Sequence, residues 1–469
     1  MQRAYASYPP DYSMGKLHRT TRNTFVNRYV ELATVLDVHL ANVMTGPGDT
    51  RTAVISAQAS GFGNTMFGLD MVGAIFNRPP ERGADRERVM KLLQDADLGS
   101  LRSCPWAEVE ADTDTNVLVA AFSRAYQLKG QGAAFTGLRG VKPVYIRFSY
   151  FMDEGGKAIT SRMLSSLKVC SVNAARLVNR DDGLALAVRA LTQDGARGCV
   201  LVLDDVSDYL SRRDERYGAL RMFIAAALEA GAIVYVTEVY RLRVVNRLVG
   251  GGGSDSSSSP VFQPRFIRLP ALEPADIAEI VAAVFQQHPD IAKKVIARED
   301  SARVPTAEEV AAAAQTLGRV IFQVTGGRSR FVQDVVISLF DCWNSWSLNN
   351  PGTIAKFIFN KLNDIDASIG YKLSVRDHLR WCLGDVEPSK VLLGTFHRHL
   401  LDMLALGAQK PYDTLVEDHQ LGTLLPGYRA PFTLSNGSVS MFAGDIMLYN
   451  IERFHNKKWG SCVHELIWQ

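Results

Sequence analysis

The residues best suited to chemistry lie in a glycine-containing turn that follows the apolar segment 52–57, TAVISA. Gly61 and Gly63 allow successive backbone N–H groups to point into one concavity, and the amphipathic segment after them predicts a helix whose positive end adds to the field there. Such a turn can bind phosphate. Thr65 would then offer its hydroxyl to a magnesium ion, so the segment predicts a site for a Mg²⁺-bound phosphate group.

The turn departs from the phosphate-binding pattern GxxxxGK[ST] at two positions. Gln58 stands at the first glycine and Asn64 at the lysine, whereas Gly63 and Thr65 match the pattern. The missing lysine normally brings charge to the β- and γ-phosphates, and the neutral Asn64 can donate a hydrogen bond but cannot neutralise charge. We therefore expect binding to survive and turnover to suffer. A glycine turn between a strand and a helix is also common in proteins that bind no phosphate.

A second candidate element is the apolar segment Val200–Leu203, which leads into two consecutive carboxylates, Asp204 and Asp205. This is the form of a Walker B strand, in which the first carboxylate holds magnesium and the second polarises the attacking water. Asp204 is therefore a candidate metal ligand and Asp205 a candidate catalytic residue. The alternative is a buried strand that ends in solvated carboxylates.

Two further elements carry polar groups that could reach the same ligand. The segment AIVYVTEVY ends in Thr237 and Glu238, and the carboxyl ends of parallel strands are where such sheets bind ligands. Thr237 is the better candidate for sensing the terminal phosphate. Arg328 and Arg330 follow a Gly-Gly turn at the start of a predicted helix, from which an arginine can contact phosphates. A polar pair that merely terminates a strand is an equally good interpretation of Thr237 and Glu238.

Apolar segments alternating with helical patterns must position these residues. Strands separated by helices predict a parallel sheet, and the segment around 200–203 is apolar without alternation, as expected for a strand covered on both faces. The predicted strands are 52–57, 143–151, 198–206, 232–240 and 265–269.

The order of SGFGNT, VLVLDD, YVTEV, RFIRLPALEPADI and TGGRSRF resembles the ATPase core of STAND-type AAA+ proteins, especially the kinetoplastid retrotransposon hot spot and crinkler-like proteins. The resemblance covers roughly residues 50–340. It implies an intracellular protein in which nucleotide binding is coupled to assembly or to a nucleic-acid transaction. Asn64 and Ser329 depart from the family pattern, where lysine and proline are usual, which puts hydrolysis in doubt more than the fold.

The whole pattern predicts an α/β fold: a P-loop NTPase parallel sheet with helices on both faces, then a helical lid and a mostly α C-terminal region that permits a winged-helix-like module. We expect an N-terminal arm at 1–48, the P-loop NTPase core at 49–270, the lid at 271–350 and the C-terminal module at 351–469. Within the last, Asn-Gly between apolar segments at 436–437 predicts a hairpin.

Three functions follow from this pattern. The favoured one is a nucleotide-binding protein, with ATP or GTP and Mg²⁺, that hydrolyses weakly or not at all and serves as a switch or scaffold. The second is an active NTPase, engaged with nucleic acid, in which Arg328, Arg330 or a neighbouring subunit's arginine supplies the missing charge. The third is a nucleotide-free structural protein of a ribonucleoprotein assembly.

Composition narrows the partners only slightly. With 52 basic and 49 acidic residues among 469, the net charge of +3 favours neither nucleic acid nor a membrane, and the arginines after the predicted strands leave nucleic acid as a partner to test. A protein assembly or homo-oligomer is the partner implied by the resemblance.

The sequence contains no apolar window of roughly 18 residues, and its six cysteines form no CxxC pair. We expect a nuclear or cytoplasmic protein, or a mitochondrial one if the basic N-terminus is a transit peptide.

Overall fold

The computed structural model describes twelve main stretches of the chain and three short strands near its end. They are residues 28–46, 48–57, 63–141, 143–147, 199–204, 206, 215–238, 248, 261–267, 269–297, 303–327 and 329–363, with 410–411, 433–435 and 438–440. The described parts of Arg28–Gln58 and Asn64–Leu269 form one compact unit, and those from Pro270 onward belong to a second.

The first unit is built on a five-stranded sheet whose strands are all parallel. Its strands are β1 Thr52–Ala57, β2 Val144–Arg147, β3 Val200–Asp204, β4 Ile233–Glu238 and β5 Gln263–Ile267. Their order across the sheet is β2-β3-β4-β1-β5. The five strands and their parallel pairing confirm the prediction from the apolar segments.

Helices of the first unit surround this sheet. They are α1 Tyr29–Met44, α2 Asn64–Phe76, α3 Ala84–Asp95, α4 Trp106–Ala111, α5 Val117–Leu128, α6 Gly132–Gly137 and α7 Glu215–Glu229, with a 3₁₀ turn at Gly99–Leu101. Every residue of β3 is buried, and so are Ala53 to Ser56 of β1. Because successive residues of a strand point to opposite faces, burial without a break means that both faces are covered.

Helix α1 lies inside the segment expected to be an N-terminal arm. Leu32, Val35 and Leu36 of this helix have no exposed surface, so α1 contributes to the core rather than standing in solvent. Asn42, near its end, is tied to the start of β1: its side-chain amide donates to the Thr52 carbonyl at 2.7 Å and accepts from the Thr52 N–H at 2.8 Å. The composition of residues 1–48 did not predict this helix.

A buried arginine joins two helices of the polar segment between β1 and β2. Arg86 of α3 is 6% exposed, and its guanidinium donates to the Thr115 carbonyl at 3.0 Å and to the carbonyls of Val109 and Asp112. A cation suits the carboxyl end of a helix, and α4 ends at Ala111. This contact fixes α3 to α4.

The second unit is helical over the part that the structure describes up to residue 363. Its helices are α8 Pro274–Gln287, α9 Pro289–Ile296, α10 Ala307–Thr325, α11 Ser329–Asp341 and α12 Pro351–Asn363, with a 3₁₀ turn at Trp343–Ser345. Local signals set the helix ends: Thr306 and Glu309 cap the start of α10 reciprocally, at 2.9 and 3.2 Å, and Gly326 ends it with φ of 63°.

Three short strands form an antiparallel sheet in the C-terminal part. They are β6 Lys410–Pro411, β7 Thr433–Ser435 and β8 Ser438–Ser440, in the order β6-β8-β7. Ser435 pairs with Ser438, so only residues 436–437 separate the two strands, which confirms the hairpin predicted at Asn-Gly. Apart from α12 and these strands, the region 351–469 in which a winged-helix-like module was expected lies outside the described residues.

Candidate functional site

The strand register brings three polar side chains into one row near the carboxyl ends of the central strands. Because Leu203 pairs with Val236, the residues that follow them, Asp204 and Thr237, are neighbours on β3 and β4. Thr237 in turn pairs with Ser56 of β1. All three are at most 5% exposed. The row therefore runs across β3, β4 and β1 at the edge where parallel sheets bind ligands.

Asp204 lies at the centre of a group of hydroxyls from three elements. The Thr65 hydroxyl, on the first turn of α2, donates to the carboxylate at 3.1 Å from one oxygen and 3.2 Å from the other. Thr237 donates to Oδ1, and the Tyr145 hydroxyl of β2 donates to Oδ2 at 2.6 Å. Hydrogen bonds to an ionised carboxylate are stronger than neutral ones, so this arrangement holds the carboxylate in one orientation.

The structure describes one residue of the turn before α2, Gly63. Gly63 has φ of 91°, a conformation that residues with a Cβ rarely adopt, and α2 begins at the next residue. The first turn of α2 carries no acidic residue of its own, and the carboxylate beside it is that of Asp204, which accepts from Thr65. Gly61 lies outside the described residues.

Asn64, at the lysine position, is bound on both its side chain and its backbone. The Ser56 hydroxyl donates to the Asn64 side-chain oxygen at 3.1 Å, and the Tyr235 hydroxyl donates to the Asn64 carbonyl at 3.1 Å. Burial raises the pKa of Tyr235 well above its usual value, so its hydroxyl stays protonated as a donor. The first residue of α2 is therefore joined to β1 and β4.

Helix α2 can reach this position only because Gly68 has no side chain. A Cβ there would stand 2.5 Å from the Tyr235 ring and 2.9 Å from Val202. The neighbouring Phe67 packs its ring on Tyr235 with a centroid distance of 5.6 Å. The close contact brings the start of α2, and with it Thr65, onto β3 and β4.

The structure thus brings Asn64 and Thr65 together with Asp204 and Thr237, four of the residues predicted from sequence. Asp205, Gly61 and Arg328 lie outside the described residues, and so does the side chain of Arg330. Three contributors escaped the sequence analysis: Ser56, Tyr145 and Tyr235. Strand register is the signal that could have found them. Tyr145 lies two residues before Arg147, which pairs with Asp204, so Tyr145 and Asp204 share one face of the sheet. Ser56 pairs with Thr237, and Tyr235 lies two residues before Thr237 on the same face.

The donor set suits magnesium better than a transition metal. A carboxylate and a hydroxyl are hard oxygen ligands, which magnesium takes alongside water and phosphate oxygens. No group of three or more His, Cys, Asp or Glu side chains among the described residues could hold a metal ion by itself. Thr65 donates its proton to Asp204, which leaves the lone pairs of its oxygen available to a cation.

A cavity of about 370 Å³ lies elsewhere in the first unit, between α1 and β5. Glu31, Thr34, Arg265, Phe266 and Ile267 line it. None of these residues belongs to the row at Asp204, and β5 is the edge strand of the sheet. The cavity is therefore separate from the candidate site.

The parallel sheet, the glycine turn into α2 and the carboxylate at the end of β3 define the class of fold: an α/β fold of the P-loop NTPase type, followed by helices. This confirms the predicted fold class. No protein-family model matches the sequence, and no curated protein matches it.

Two solved structures are similar to the chain at 13% identity. One is a Walker-type ATPase of Pyrococcus abyssi, with 80% of this chain and 98% of that chain covered and a TM-score of 0.34. The other is the ORC1 protein of Aeropyrum pernix in complex with DNA, with 96% and 95% covered and a TM-score of 0.28. These TM-scores are too low to support an argument, so the fold class is assigned from the strand order and the site geometry.

Among the described residues, none of the helices is both long and apolar enough to span a bilayer.

Proposed function

We propose that this chain binds a magnesium-bound nucleoside triphosphate or diphosphate, ATP or GTP, hydrolyses it weakly or not at all, and uses the bound state as a switch or scaffold. The observation that supports this most directly is the contact between Thr65 and Asp204. A hydroxyl on the first turn of a helix and a buried carboxylate from a strand far away in sequence meet at the carboxyl edge of the sheet.

In this proposal Thr65 and Asp204 hold the magnesium ion. Thr237 and Tyr145 keep the carboxylate oriented, so a cation meets a group that needs no rearrangement. A bound magnesium ion would supply positive charge to the phosphate oxygens.

The phosphates would bind at the turn before α2. The positive φ of Gly63 and the N-terminus of α2 favour an anion there once the magnesium ion offsets the Asp204 carboxylate, and Gly61 completes the concavity in this proposal. Thr237 lies in the same row as Asp204 and is proposed to contact the terminal phosphate.

Weak turnover follows from Asn64. A neutral amide adds no charge to the phosphates, and its side-chain oxygen is already occupied by Ser56. Positive charge at the transferring phosphate contributes a large part of catalysis in this class of reaction. Asp205 is proposed as the residue that would polarise the attacking water. In the alternative function, Arg328 or Arg330 supplies the missing charge, residues 271–350 act as a lid, and the protein hydrolyses its nucleotide.

The test is thermal unfolding of the purified protein with and without Mg-ATP, Mg-GTP and ADP. A ligand at about 100 times its dissociation constant adds about 2.7 kcal/mol to the free energy of unfolding. We expect a rise in Tm that is lost in Asp204→Ala, and little phosphate release. Asp95→Ala removes an exposed carboxylate of α3 and should leave the rise unchanged. If wild type released phosphate rapidly and Asp205→Asn abolished the release, the protein would be an active NTPase rather than one that hydrolyses weakly.

A wild-type protein whose Tm does not respond to millimolar nucleotide would contradict the proposal. The remaining explanation would be the nucleotide-free structural role in a ribonucleoprotein or other protein assembly. In that case co-purification from cells, with and without ribonuclease, would identify the assembly.

A further inference from the structure

The cavity between α1 and β5 is lined by two opposite charges and a hydroxyl. Glu31 and Thr34 line it from α1, and Arg265 and Ile267 line it from β5. Because Arg265 and Ile267 are two residues apart on one strand, they lie on the same face of the sheet. The volume of about 370 Å³ falls in the range of cavities that bind small molecules. The cavity is therefore large enough for a small polar ligand.

The two charges that line this cavity do not pair with each other. Among the described residues, neither Glu31 nor Arg265 forms an ion pair. Burial raises the pKa of Glu31, and the attraction of Arg28 opposes this shift only in part. Arg102 and, more weakly, Arg265 lower the pKa of the exposed Asp97, which is paired with Arg102 at 2.8 Å. Glu31 and Arg265 thus remain able to bind a ligand placed between them.

The two walls of the cavity offer opposite hydrogen-bonding groups. The Thr34 hydroxyl donates its proton to the Val30 carbonyl at 2.8 Å, so its oxygen presents lone pairs to other groups. An ionised Glu31 carboxylate likewise only accepts hydrogen bonds, whereas the Arg265 guanidinium only donates them. A ligand that satisfies both walls carries N–H donors at one end and acceptor oxygens at the other.

We propose that this cavity binds a free α-amino acid as its zwitterion. The ammonium group donates to the Glu31 carboxylate and to the Thr34 oxygen, and the ligand carboxylate accepts two hydrogen bonds from the Arg265 guanidinium. Ile267, which is 4% exposed, forms an apolar part of the wall. Because none of these residues belongs to the row at Asp204, the inference goes beyond the proposed function and does not depend on it.

The experiment uses the full chain without nucleotide. A thermal-shift screen of the standard L-amino acids selects the best ligand, and titration calorimetry then measures its affinity. We expect Glu31→Gln and Arg265→Gln each to weaken binding by about tenfold, the size of a hydrogen bond to a charged group. Asp95→Ala and Arg88→Gln remove exposed charges of α3 and should leave the affinity unchanged.

Two analogues of the selected amino acid test the orientation in the wild-type protein, where no variant has to fold. Its amide lacks the carboxylate, and its N-acetyl derivative lacks the ammonium group. Each should bind about tenfold more weakly than the amino acid. Glu31→Gln should weaken binding of the amide further but leave that of the N-acetyl derivative unchanged, and Arg265→Gln should do the reverse.

Three results would overturn the inference. One is a wild-type protein that binds no standard amino acid at millimolar concentration. The second is an N-acetyl derivative or an amide that binds as tightly as the amino acid itself. The third is tighter binding of guanosine, whose base also carries neighbouring donors and acceptors, because the cavity would then recognise a nucleobase.

Discussion

Thr65 and Asp204 are 139 residues apart in the sequence, yet the Thr65 hydroxyl lies 3.1 Å from one oxygen of the Asp204 carboxylate. The contact joins the first turn of α2 to the end of β3. It exists because α2 packs directly on β3 and β4, and this packing depends on a glycine.

Gly68→Ala should destabilise the protein. The new methyl group would stand 2.5 Å from the Tyr235 ring and 2.9 Å from Val202, and overpacking of this kind costs about 1–3 kcal/mol. Gly73→Ala in the same helix is the matched control, because its nearest neighbour would be 3.6 Å away. There the gain in helix propensity should stabilise the protein by roughly 0.5–1 kcal/mol. Urea unfolding measures both, and equal changes in the two variants would contradict the packing described for α2.

Gly327→Ala should destabilise the second unit more strongly. Gly327 has φ of 70°, and a Cβ there would stand 2.0 Å from the Leu272 carbonyl oxygen. The Leu272 N–H also donates to the Gly327 carbonyl at 2.8 Å. Gly140→Ala is the control for the backbone conformation alone, since it has φ of 77° and no atom within 4 Å of the new methyl group.

Positive φ alone costs about 1 kcal/mol. We therefore expect a loss of about that size for Gly140→Ala and a clearly larger one for Gly327→Ala, measured by denaturant unfolding. A smaller loss for Gly327→Ala than for Gly140→Ala would show that the turn before α11 is not packed against Leu272.

His39 should make the stability of the first unit depend on pH. Burial lowers the pKa of His39 to about 4, and its hydrogen bond to the Gly231 carbonyl opposes this shift only in part. The unfolded chain, with a histidine pKa near 6.5, binds the proton first, so the free energy of unfolding falls as pH drops from about 6.5 to about 4. The full loss is about 3 kcal/mol.

Urea unfolding at pH 7 and pH 4.5 checks this prediction, with His39→Gln as the comparison. Glutamine keeps hydrogen-bonding groups beside Tyr126, whose hydroxyl lies 2.8 Å from His39 Nδ1, but it cannot take up the proton. The variant should lose less stability than wild type over this interval. The same loss in both proteins would mean that carboxylates, not His39, cause the pH dependence.

Tyr145→Phe should weaken magnesium-dependent nucleotide binding without removing the fold. The variant lacks the hydroxyl that donates to Asp204 at 2.6 Å, and a hydrogen bond to a charged group contributes about 1.5–3 kcal/mol. Tyr126→Phe is the matched control, a buried tyrosine whose hydroxyl donates to the Leu36 carbonyl at 2.9 Å. Both variants should lose stability, but only Tyr145→Phe should change the magnesium dependence of nucleotide affinity in a calorimetric titration. Equal magnesium dependence in the two would exclude a role for Tyr145 in holding Asp204.

The sequence predicted the sheet well because buried parallel strands are apolar over their whole length. The segments at 52–57 and 198–206 needed no tertiary information to be assigned, and β1 and β3 lie within them. The carboxylate at 204 stood out because it ends such a segment. The meeting of Thr65 with Asp204 also followed from the expected pattern of a phosphate-binding turn and a Walker B strand.

Other features could not be predicted, since they depend on register and packing. Nothing local marks Tyr145 as a partner of Asp204, and Ser56 was interpreted only as part of an apolar strand. Helix α1 was missed because the basic, polar composition of the first 30 residues suggested an arm, while the helix begins at Tyr29. The replacement of lysine by Asn64 was visible in the sequence, whereas its contacts with Ser56 and Tyr235 required the fold.

A nucleotide site at Thr65 and Asp204 is tested most directly by the affinity of ADP and ATP for wild type, Thr65→Val and Thr65→Ser, measured by titration calorimetry with and without magnesium. Valine has the shape of threonine without the hydroxyl, and Thr136→Val makes the same change at an exposed helical position. We predict magnesium-dependent binding in wild type, Thr65→Ser and Thr136→Val, and its loss in Thr65→Val. Unchanged magnesium-dependent affinity in Thr65→Val, or no binding by wild type, would contradict a nucleotide site at Thr65 and Asp204.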